Sequence, residues 1–326
     1  MMTIGRWISR AVVGVTVATT FGGLPAAAMD QVKVGVFPVS SSLPYFVALE
    51  RGFFKEQSIE PSMVRLIGGP PNVAAMITNQ IDACAVLVTI EGMNANLKKP
   101  GVAMYISINS QNKKYEMEQF VVRDGYKASS LKDLKGAKIM SAPGPANLTM
   151  AKAVLAANGL KEGDYRIDQL DMGQHVNAMK AGTFDAGYTL EPNASVMKQM
   201  GIAKTLEAGV IAKYILGDGN ADAFIAGGAL TTEFITKRPD VAKRYAAAWN
   251  KAIAFINENP DEARKHLLKN TFTPPSVVKT VPMIKYVAAK DLTKQDKESF
   301  QKFIDFSVKS GILPGPVDVA KYIKAL

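Results

Sequence analysis

The chain has 326 residues, of which 39 are Lys or Arg and 29 are Asp or Glu, so its formal net charge is +10. The basic residues are scattered, and no basic-aromatic stripe or known nucleic-acid motif accompanies them, which argues against a nucleic-acid-binding protein. The single cysteine, Cys84, excludes an internal disulfide and lies in an apolar run, where we interpret it as a small buried hydrophobe.

Residues 1–28 have the pattern of a secretory signal peptide. Arg6 and Arg10 precede an apolar stretch at 11–24 that ends in a proline and three alanines. That stretch is too short and too weakly apolar to span a membrane, so we expect cleavage after Ala28 and a soluble mature protein. About 300 residues remain, enough for two domains of ordinary size.

Strand and helix patterns alternate through the first part of the mature chain. They occur in the order strand 32–39, helix 45–54, strand 62–67, helix 73–78 and strand 81–88. Serines before an early proline mark the start of the first helix, and a Gly-Pro break precedes the second.

The same order returns about 103 residues later. It runs strand 137–141, helix 148–158, strand 167–171, helix 175–181 and strand 184–190. At this spacing Asn72 matches His175, and Asp82 matches Asp185. Two such βαβαβ units predict an α/β protein with two similar lobes, each a mostly parallel sheet flanked by helices.

Asp82 and Asp185 each follow a helix break and start a strand, in NQIDACAV and GTFDAGYT. A short carboxylate in this position can accept hydrogen bonds from backbone N–H groups. We interpret the pair as structural and not as a catalytic dyad, because the amino ends of strands lie opposite the binding edge of such sheets.

After residue 191 the pattern changes. The predicted elements are a short helix and strand at 197–207, a Gly-rich polar segment at 214–221, a strand at 222–230 and helices at 240–257, 261–268, 276–289, 294–309 and 317–323. The aromatic stripe of helix 240–257 predicts core packing.

Several phrases along the mature chain resemble one protein family. They are ALERGFFKEQSIE, SLKDLKGAKIMSAPG, VLAANGL, MKAGTFDAGYTLEP and TKRPDVAKRYAAAWNKAIAFINENPDEA. Together they resemble periplasmic solute-binding proteins of ABC importers, of the nitrate, taurine and alkanesulfonate type, in the group that also contains thiamine-precursor binders.

The resemblance implies a two-lobed Venus-flytrap fold with a two-strand hinge. Lobe I would comprise residues 29–113 and 222–326, and lobe II residues 114–221. A small-molecule solute would bind between the lobes and be delivered to an ABC transporter permease in the inner membrane. The protein would be a periplasmic monomer that has no cofactor, binds no nucleic acid and is not an enzyme.

We expect ligand-binding residues in loops at the carboxyl ends of strands, where helix N-termini present N–H groups. The candidates are Phe37, Ser40, Ser41, Ser42, Asn72, Thr89, Glu91, Gly144, Ala146, Asn147, Leu148, His175, Tyr188 and Glu191. Helix capping is an alternative role for the serines and Asn147. The resemblance implies that the Glu191 carboxylate accepts hydrogen bonds from a ligand amino group.

The composition of these loops constrains the ligand. They contain hydroxyls, amides and helix N-termini but no arginine, which disfavours a dicarboxylate. We expect a sulfonate, a monoanionic acid, or a polar aromatic or heterocycle stacked on Phe37 or Tyr188. A metal is not expected, because His266 lies on a distal helix and no second His or Cys is near His175.

Two other functions stay open at this stage. One is a periplasmic dehydratase-like enzyme on the same fold, with His175 and Glu191 as acid and base. The other is a ligand-sensing partner of a membrane receptor. Synthesis of the thiamine pyrimidine is not supported, because the relatives that carry it out use a cysteine-rich motif.

Overall fold

The computed structural model describes Met2 and residues 28–326. The predicted signal peptide lies outside the described residues except for Met2 and Ala28. None of the helices described has both the length and the hydropathy of a membrane span.

In residues 28–326, twelve strands form two β-sheets. The strands are β1 (Asp30–Val36), β2 (Ile59–Arg65), β3 (Ala83–Val88), β4 (Met104–Tyr105), β5 (Ser107–Gln111), β6 (Glu118–Arg123), β7 (Lys138–Ser141), β8 (Arg166–Gln169), β9 (Ala186–Leu190), β10 (Ala203–Ala208), β11 (Ala223–Leu230) and β12 (Lys285–Ala288). The first sheet has the order β12-β5-β11-β3-β1-β2, with β4 beside β11, and the second has the order β10-β6-β9-β7-β8. The predicted α/β class with two sheets is confirmed.

Helices connect the strands and cover the sheets. They are α1 (Leu43–Glu50), α2 (Phe53–Glu56), α3 (Gly69–Ile77), α4 (Thr89–Lys98), α5 (Pro145–Ala157), α6 (Met172–Lys180), α7 (Asn193–Gln199), α8 (Val210–Tyr214), α9 (Thr232–Lys237), α10 (Pro239–Glu258), α11 (Pro260–Arg264), α12 (Leu267–Asn270) and α13 (Lys294–Lys309). The aromatic stripe of α10 is core, as predicted: Tyr245 and Trp249 are buried, and the Tyr245 ring lies 4.9 Å from that of Phe54 in α2.

The internal repeat is present in strand register as well as in element order. β1 pairs in parallel with β2 and β3, with Val34 opposite Met63 and Ala83. β7 pairs in parallel with β8 and β9, with Ile139 opposite Ile167 and Ala186. Helices α3 and α6 are both nine residues long and are offset by 103 positions. The two halves therefore repeat one βαβαβ plan.

Each sheet also contains antiparallel strands, so the sheets are mixed and not mostly parallel. β11 runs antiparallel to β3, β4 and β5, and β12 runs antiparallel to β5. In the second sheet β6 runs antiparallel to β9 and β10. Four of these strands, β5, β6, β10 and β11, flank the two places where the chain crosses between the sheets.

Asp82 and Asp185 have the structural role that the sequence indicated. The Asp82 carboxylate accepts a hydrogen bond from the Lys33 backbone N–H at 2.8 Å, and Asp185 accepts one from Lys138 at 2.9 Å. Each carboxylate thus ties the start of one strand to its neighbour, and Arg123 pairs with Asp185 at 3.3 Å.

One predicted helix is wrong. Residues 276–289 contain a short 3₁₀ turn at Val278–Thr280 followed by strand β12. The buried residues Tyr286 and Ala288 alternate with partly buried ones, which is the pattern of a strand, but β12 has only four residues and so gives too short a signal to stand out in the sequence. The predicted helix at 317–323 is a 3₁₀ turn at Val319–Tyr322.

The chain passes between the sheets at two places, between β5 and β6 and between β10 and β11. The two connections touch, because the Lys113 N–H donates to the Gly219 carbonyl at 3.0 Å. Across the first connection, the Glu118 N–H donates to Gln111 Oε1 at 3.0 Å, and the Gln111 amide donates back to the Glu118 carboxylate. The lobe boundaries at 113/114 and 221/222 stay predictions.

Candidate ligand-binding cleft

The loops that follow β1 and β9 meet where the two sheets face each other. Ser40, Ser41 and Ser42 form a 3₁₀ turn, and the Ser42 hydroxyl fastens it by donating to the Phe37 carbonyl at 2.6 Å. The Ser40 backbone N–H then donates to the Glu191 carbonyl at 3.1 Å. This bond joins the loop that follows β1 in the first sheet to the residue that follows β9 in the second sheet. We call this junction the seam.

Two buried polar atoms at the seam have no hydrogen-bond partner among the described residues. They are Ser40 Oγ and Asn109 Oδ1, on side chains that are 2% and 1% exposed. The Asn109 amide nitrogen, on β5, donates to the Ser41 carbonyl at 3.1 Å, so Asn109 contacts the same turn that carries Ser40. A buried polar atom without a partner costs about 1–3 kcal/mol, so the seam is suited to a polar solute.

Glu91 forms a second contact between the sheets. It lies in the first turn of α4, and the Ala146 N–H at the start of α5 interacts with its carboxylate. Glu91 Oε1 lies 3.0 Å from the position that a Cβ on Gly144 would occupy. Burial raises the pKa of Glu91 to about 7, and the Ala146 N–H opposes this by lowering it.

Glu191 is fully buried and has protein partners on both carboxylate oxygens. The Gln119 amide donates to Oε1, and the Ser195 backbone N–H donates to Oε2 at 3.2 Å. Burial raises the pKa of Glu191 to about 7, although the hydrogen bonds from Ser195 favour the charged form. At the seam it is therefore the Glu191 carbonyl that contacts the first sheet.

A third contact between the two halves of the chain lies at the edge of the cleft, where Phe272 meets α6. Phe272 follows α12 and is 56% exposed, and its ring is 3.6 Å from the position that a Cβ on Gly173 in α6 would occupy. Arg65 ends β2, and its guanidinium carbon lies 5.2 Å from the centre of the Phe272 ring. Arg65 thus lies beside the cleft, although the candidate ligand-binding loops themselves contain no arginine.

Other candidate residues have partners within their own half of the molecule. Asn72 donates to the Gly68 carbonyl at 2.7 Å and accepts from the Cys84 thiol at 3.2 Å. The Thr89 hydroxyl donates to the Phe224 carbonyl at 2.8 Å. These two side chains stabilise the first sheet and its loops.

In the second sheet, His175 and Tyr188 are also engaged internally. Thr189 Oγ1 lies 2.9 Å from Nδ1 of His175, and the Leu170 carbonyl lies 3.0 Å from Nε2. Burial lowers the pKa of His175 to about 4, so the ring is neutral at pH 7. The Tyr188 hydroxyl donates to Glu118 at 2.6 Å, and burial raises the pKa of both groups.

The remaining candidates surround the start of α5. The Gly144 N–H donates to Gln169 Oε1 at 2.8 Å, the Asn147 amide donates to the Pro143 carbonyl at 2.7 Å, and Leu148 is partly buried. The structure thus brings Ser40 to Glu191, and Glu91 to Gly144 and Ala146. As ligand contacts, all fourteen candidates stay predictions.

Sequence reasoning missed Asn109 and Gly69. Asn109 lies in β5, a polar strand whose buried residues show no alternation of hydropathy. Gly69 was placed in a break before the second helix, whereas it starts α3 and lies against Glu91. A glycine next to two prolines gives no sequence signal for such a contact.

Residues 28–326 contain no group of three or more His, Cys, Asp or Glu side chains placed to hold a metal ion. The polar groups at the seam are hydroxyl, amide and backbone N–H groups, together with buried carboxyls. Such groups suit a small polar solute held by hydrogen bonds.

Known proteins of similar sequence and structure were compared with the chain. The chain is 24% identical over 304 residues to a Bacillus subtilis protein provisionally named as an aliphatic sulfonates-binding protein, covering 89% of this chain and 85% of that protein. The alkanesulfonate-binding protein SsuA of Xanthomonas axonopodis pv. citri, solved with MOPS, has a TM-score of 0.72 at 20% identity and covers 92% of this chain and 100% of its own.

Two further solved structures show how widely the fold is used. The periplasmic nitrate-binding protein NrtA of Synechocystis PCC 6803 has a TM-score of 0.67 at 15% identity, covering 91% of this chain and 86% of its own. The desulfurization enzyme DSZB, with a TM-score of 0.65 at 15% identity, covers 91% of this chain and 96% of its own. The shared fold is that of periplasmic binding proteins, as the sequence resemblance implied.

The family model described as NMT1/THI5 like matches residues 40–263, which include Ser40 and Glu191 at the seam, the parallel trio of β7, β8 and β9, and the start of α5. The chain belongs to the NMT1/THI5-like family.

Proposed function

We propose that the chain is the solute-binding protein of an ABC importer, acting in the periplasm. It captures a small polar or monoanionic organic solute between its two sheets and presents it to a membrane permease. The family, the binding proteins among its relatives and the internal geometry of the seam support this function.

The observation that carries the proposal is the pair of partnerless atoms at the seam. Ser40 Oγ and Asn109 Oδ1 are buried where the Ser40 N–H meets the Glu191 carbonyl. A hydroxyl and an amide oxygen in this position can bind a solute that donates and accepts hydrogen bonds. The solute would complete a contact that already joins the two sheets.

Closure of the cleft follows from the two chain crossings. If residues 29–113 and 222–326 move as one lobe against residues 114–221, the connections between β5 and β6 and between β10 and β11 form the hinge. The bond between Ser40 and Glu191 would then form only in the closed state. A permease can recognise that state because the closed lobes present one continuous surface.

The relatives indicate the chemical class of the solute. Their names refer to sulfonates and nitrate, which are small oxyanions bound through N–H and O–H donors. We extend this class to the present chain as small polar or singly charged organic solutes.

We propose that the chain is not an enzyme. Both ring nitrogens of His175 already have internal partners, and both oxygens of Glu191 accept hydrogen bonds from protein donors. General acid-base catalysis requires groups that can reach one substrate. DSZB shows that the fold also accommodates an enzyme, so the test below includes a measurement of turnover.

The experiment is a thermal-shift screen of the mature chain with ethanesulfonate, nitrate, acetate and 4-aminopyrimidine. A ligand at about one hundred times its Kd stabilises the protein by about 2.7 kcal/mol, and the same mixtures should show no product by NMR. No shift with any compound would contradict the proposal, and product formation would support the enzyme.

A serine substitution tests the seam itself. Ser40→Ala removes the partnerless hydroxyl and should weaken a ligand found in the screen by about tenfold, the effect of one lost hydrogen bond of about 1.4 kcal/mol. Ser276→Ala, at an exposed turn, is the matched control and should bind normally. Equal affinity of both variants would place the ligand away from Ser40.

A further inference from the structure

The Glu91 carboxylate lies between the starts of two helices that belong to different sheets. Its Oε2 overlaps the position that a Cβ on Gly69 would occupy, at the start of α3. Its Oε1 is 3.0 Å from the corresponding position on Gly144, which precedes α5. The side chain thus fills the space where α3 and α5 approach each other.

Gly69 faces the Glu91 carboxylate directly. Its backbone is not in the left-handed region, whereas Gly144 has a φ of +101° and needs glycine for its conformation alone. Any side chain at position 69 would collide with Glu91. Gly69 and Glu91 therefore form a complementary pair, because the Glu91 carboxylate occupies the space that a side chain at position 69 would need.

The starts of these helices would otherwise be suitable places for an anionic ligand. Free N–H groups and the helix dipole make a helix N-terminus attractive to oxyanions. In α3 the next two residues are Pro70 and Pro71, which have no N–H to donate. In α5 the Ala146 N–H already interacts with the Glu91 carboxylate and lowers its pKa. Above about pH 7, where the Glu91 carboxyl is mostly ionised, a second anion here would meet the repulsion of its charge.

One oxygen of Glu91 still needs a donor. Oε2 is buried and has no hydrogen-bond partner in residues 28–326, and the residue is 9% exposed. Glu91 lines a cavity of about 280 Å³ together with Pro70, Asn94, Lys98 and Pro145 among others. A group that enters this space and donates a hydrogen bond would satisfy Oε2.

We propose that Glu91 determines specificity by excluding simple anions from the junction of α3 and α5 and by binding an N–H donor or a positive charge of the solute. The solute is then an amine, an amidine or a nitrogen heterocycle, and any anionic group it carries binds elsewhere in the cleft. This inference rests on the proposed solute-binding function.

The test compares two probes that differ only in one amino group, ethanesulfonate and 2-aminoethanesulfonate. Their Kd values are measured by calorimetry for the wild type and for Glu91→Gln, which keeps the shape of the side chain and removes its charge. The wild type should bind the amino probe at least tenfold more tightly, and Glu91→Gln should abolish or reverse that preference. Glu298→Gln, on the exposed face of α13, is the control and should keep it.

A second variant reaches the same carboxylate by another route. Gly69→Ala forces the Glu91 side chain out of its position and should reproduce the loss of preference, while Gly315→Ala has open space around the added methyl group and should not. Circular dichroism and melting curves verify that each variant is folded.

The outcomes separate the two proposals. A preference that is absent in the wild type, or that persists unchanged in folded Glu91→Gln, overturns the role of Glu91 and leaves the binding function standing. If neither these probes nor the screened compounds bind the wild type or the variants, both proposals are overturned.

Discussion

Burial of the Glu191 carboxyl should make the protein less stable as the pH rises. The pKa of this group is raised from 4.5 to about 7 in the folded chain, mainly because burial disfavours the charged form. Between these values the folded protein keeps a proton that the unfolded chain has released. Stability from this group is therefore fully present below about pH 4.5 and is lost as the pH approaches 7.

The size of the effect follows from the shift. A difference of about 2.5 pH units at about 1.36 kcal/mol per unit gives about 3 kcal/mol. Glu191→Gln removes the titration while keeping the size of the side chain. The free energy of unfolding of the variant, relative to the wild type, should thus rise by about 2–3 kcal/mol between pH 5 and pH 8.

Urea unfolding followed by circular dichroism at four pH values measures this difference. Glu258→Gln, which replaces an exposed carboxyl at the end of α10, is the matched control and should follow the wild type. Glu91 and Glu118 are buried too and titrate in both proteins, so the difference between the curves isolates Glu191. Parallel curves for Glu191→Gln and the wild type would refute the reasoning.

Two further predictions concern the framework. Asp185→Asn should lower the free energy of unfolding in urea by about 1–2 kcal/mol, because the Lys138 N–H loses its charged acceptor. The affinity for a ligand should not change. Weaker binding at unchanged stability would contradict the structural role of Asp185. Gly228→Ala places a methyl group 2.5 Å from the Trp249 ring and should cost about 1–3 kcal/mol with a shift in tryptophan fluorescence; unchanged emission and unchanged stability would show that the ring has room.

The sequence allowed the parallel parts of both sheets to be predicted because they are repeated and apolar. β3 and β9 are buried on both faces and read as short, nearly continuous apolar runs, whereas β1 begins with an alternation in which Val32 is buried and Gln31 and Lys33 are exposed. The matching aspartates mark where β3 and β9 begin. Pattern, spacing and caps all indicated the same arrangement.

The crossing strands could not be predicted in this way. β5 reads SINSQ and is buried along its whole length, because its side chains are paired with polar partners from distant parts of the chain. Asn109 bonds to Ser41, and Ser107 accepts from the indole of Trp249 at 2.9 Å. A hydropathy pattern reflects only residues that are close in sequence, so it cannot predict hydrogen bonds between distant segments.

Helix α4 shows the same limit at the site. Its sequence TIEGMNANLK is polar, yet Glu91, Gly92 and Asn96 are buried between other elements. Glu91 was found as a candidate from its place after a strand, whereas its position between Gly69 and Gly144 required coordinates. Tertiary contacts determine which polar residues of a loop face the cleft.

The repeat itself separates structural residues from residues that recognise a ligand. Asn72 and His175 occupy matching positions, and each fastens the loop before its own helix, through the Gly68 and Leu170 carbonyls respectively. We interpret a contact that recurs at matching positions in both halves as structural. Ser40 and Glu91 have no such counterpart. The offset is 105 residues near β1 and β7, where Val34 matches Ile139, so Ser40 corresponds to Pro145, and at the offset of 103 Glu91 corresponds to Ala194. Polar residues that occur in one half alone, and that bridge the sheets, are therefore the ones we expect to determine which solute is bound.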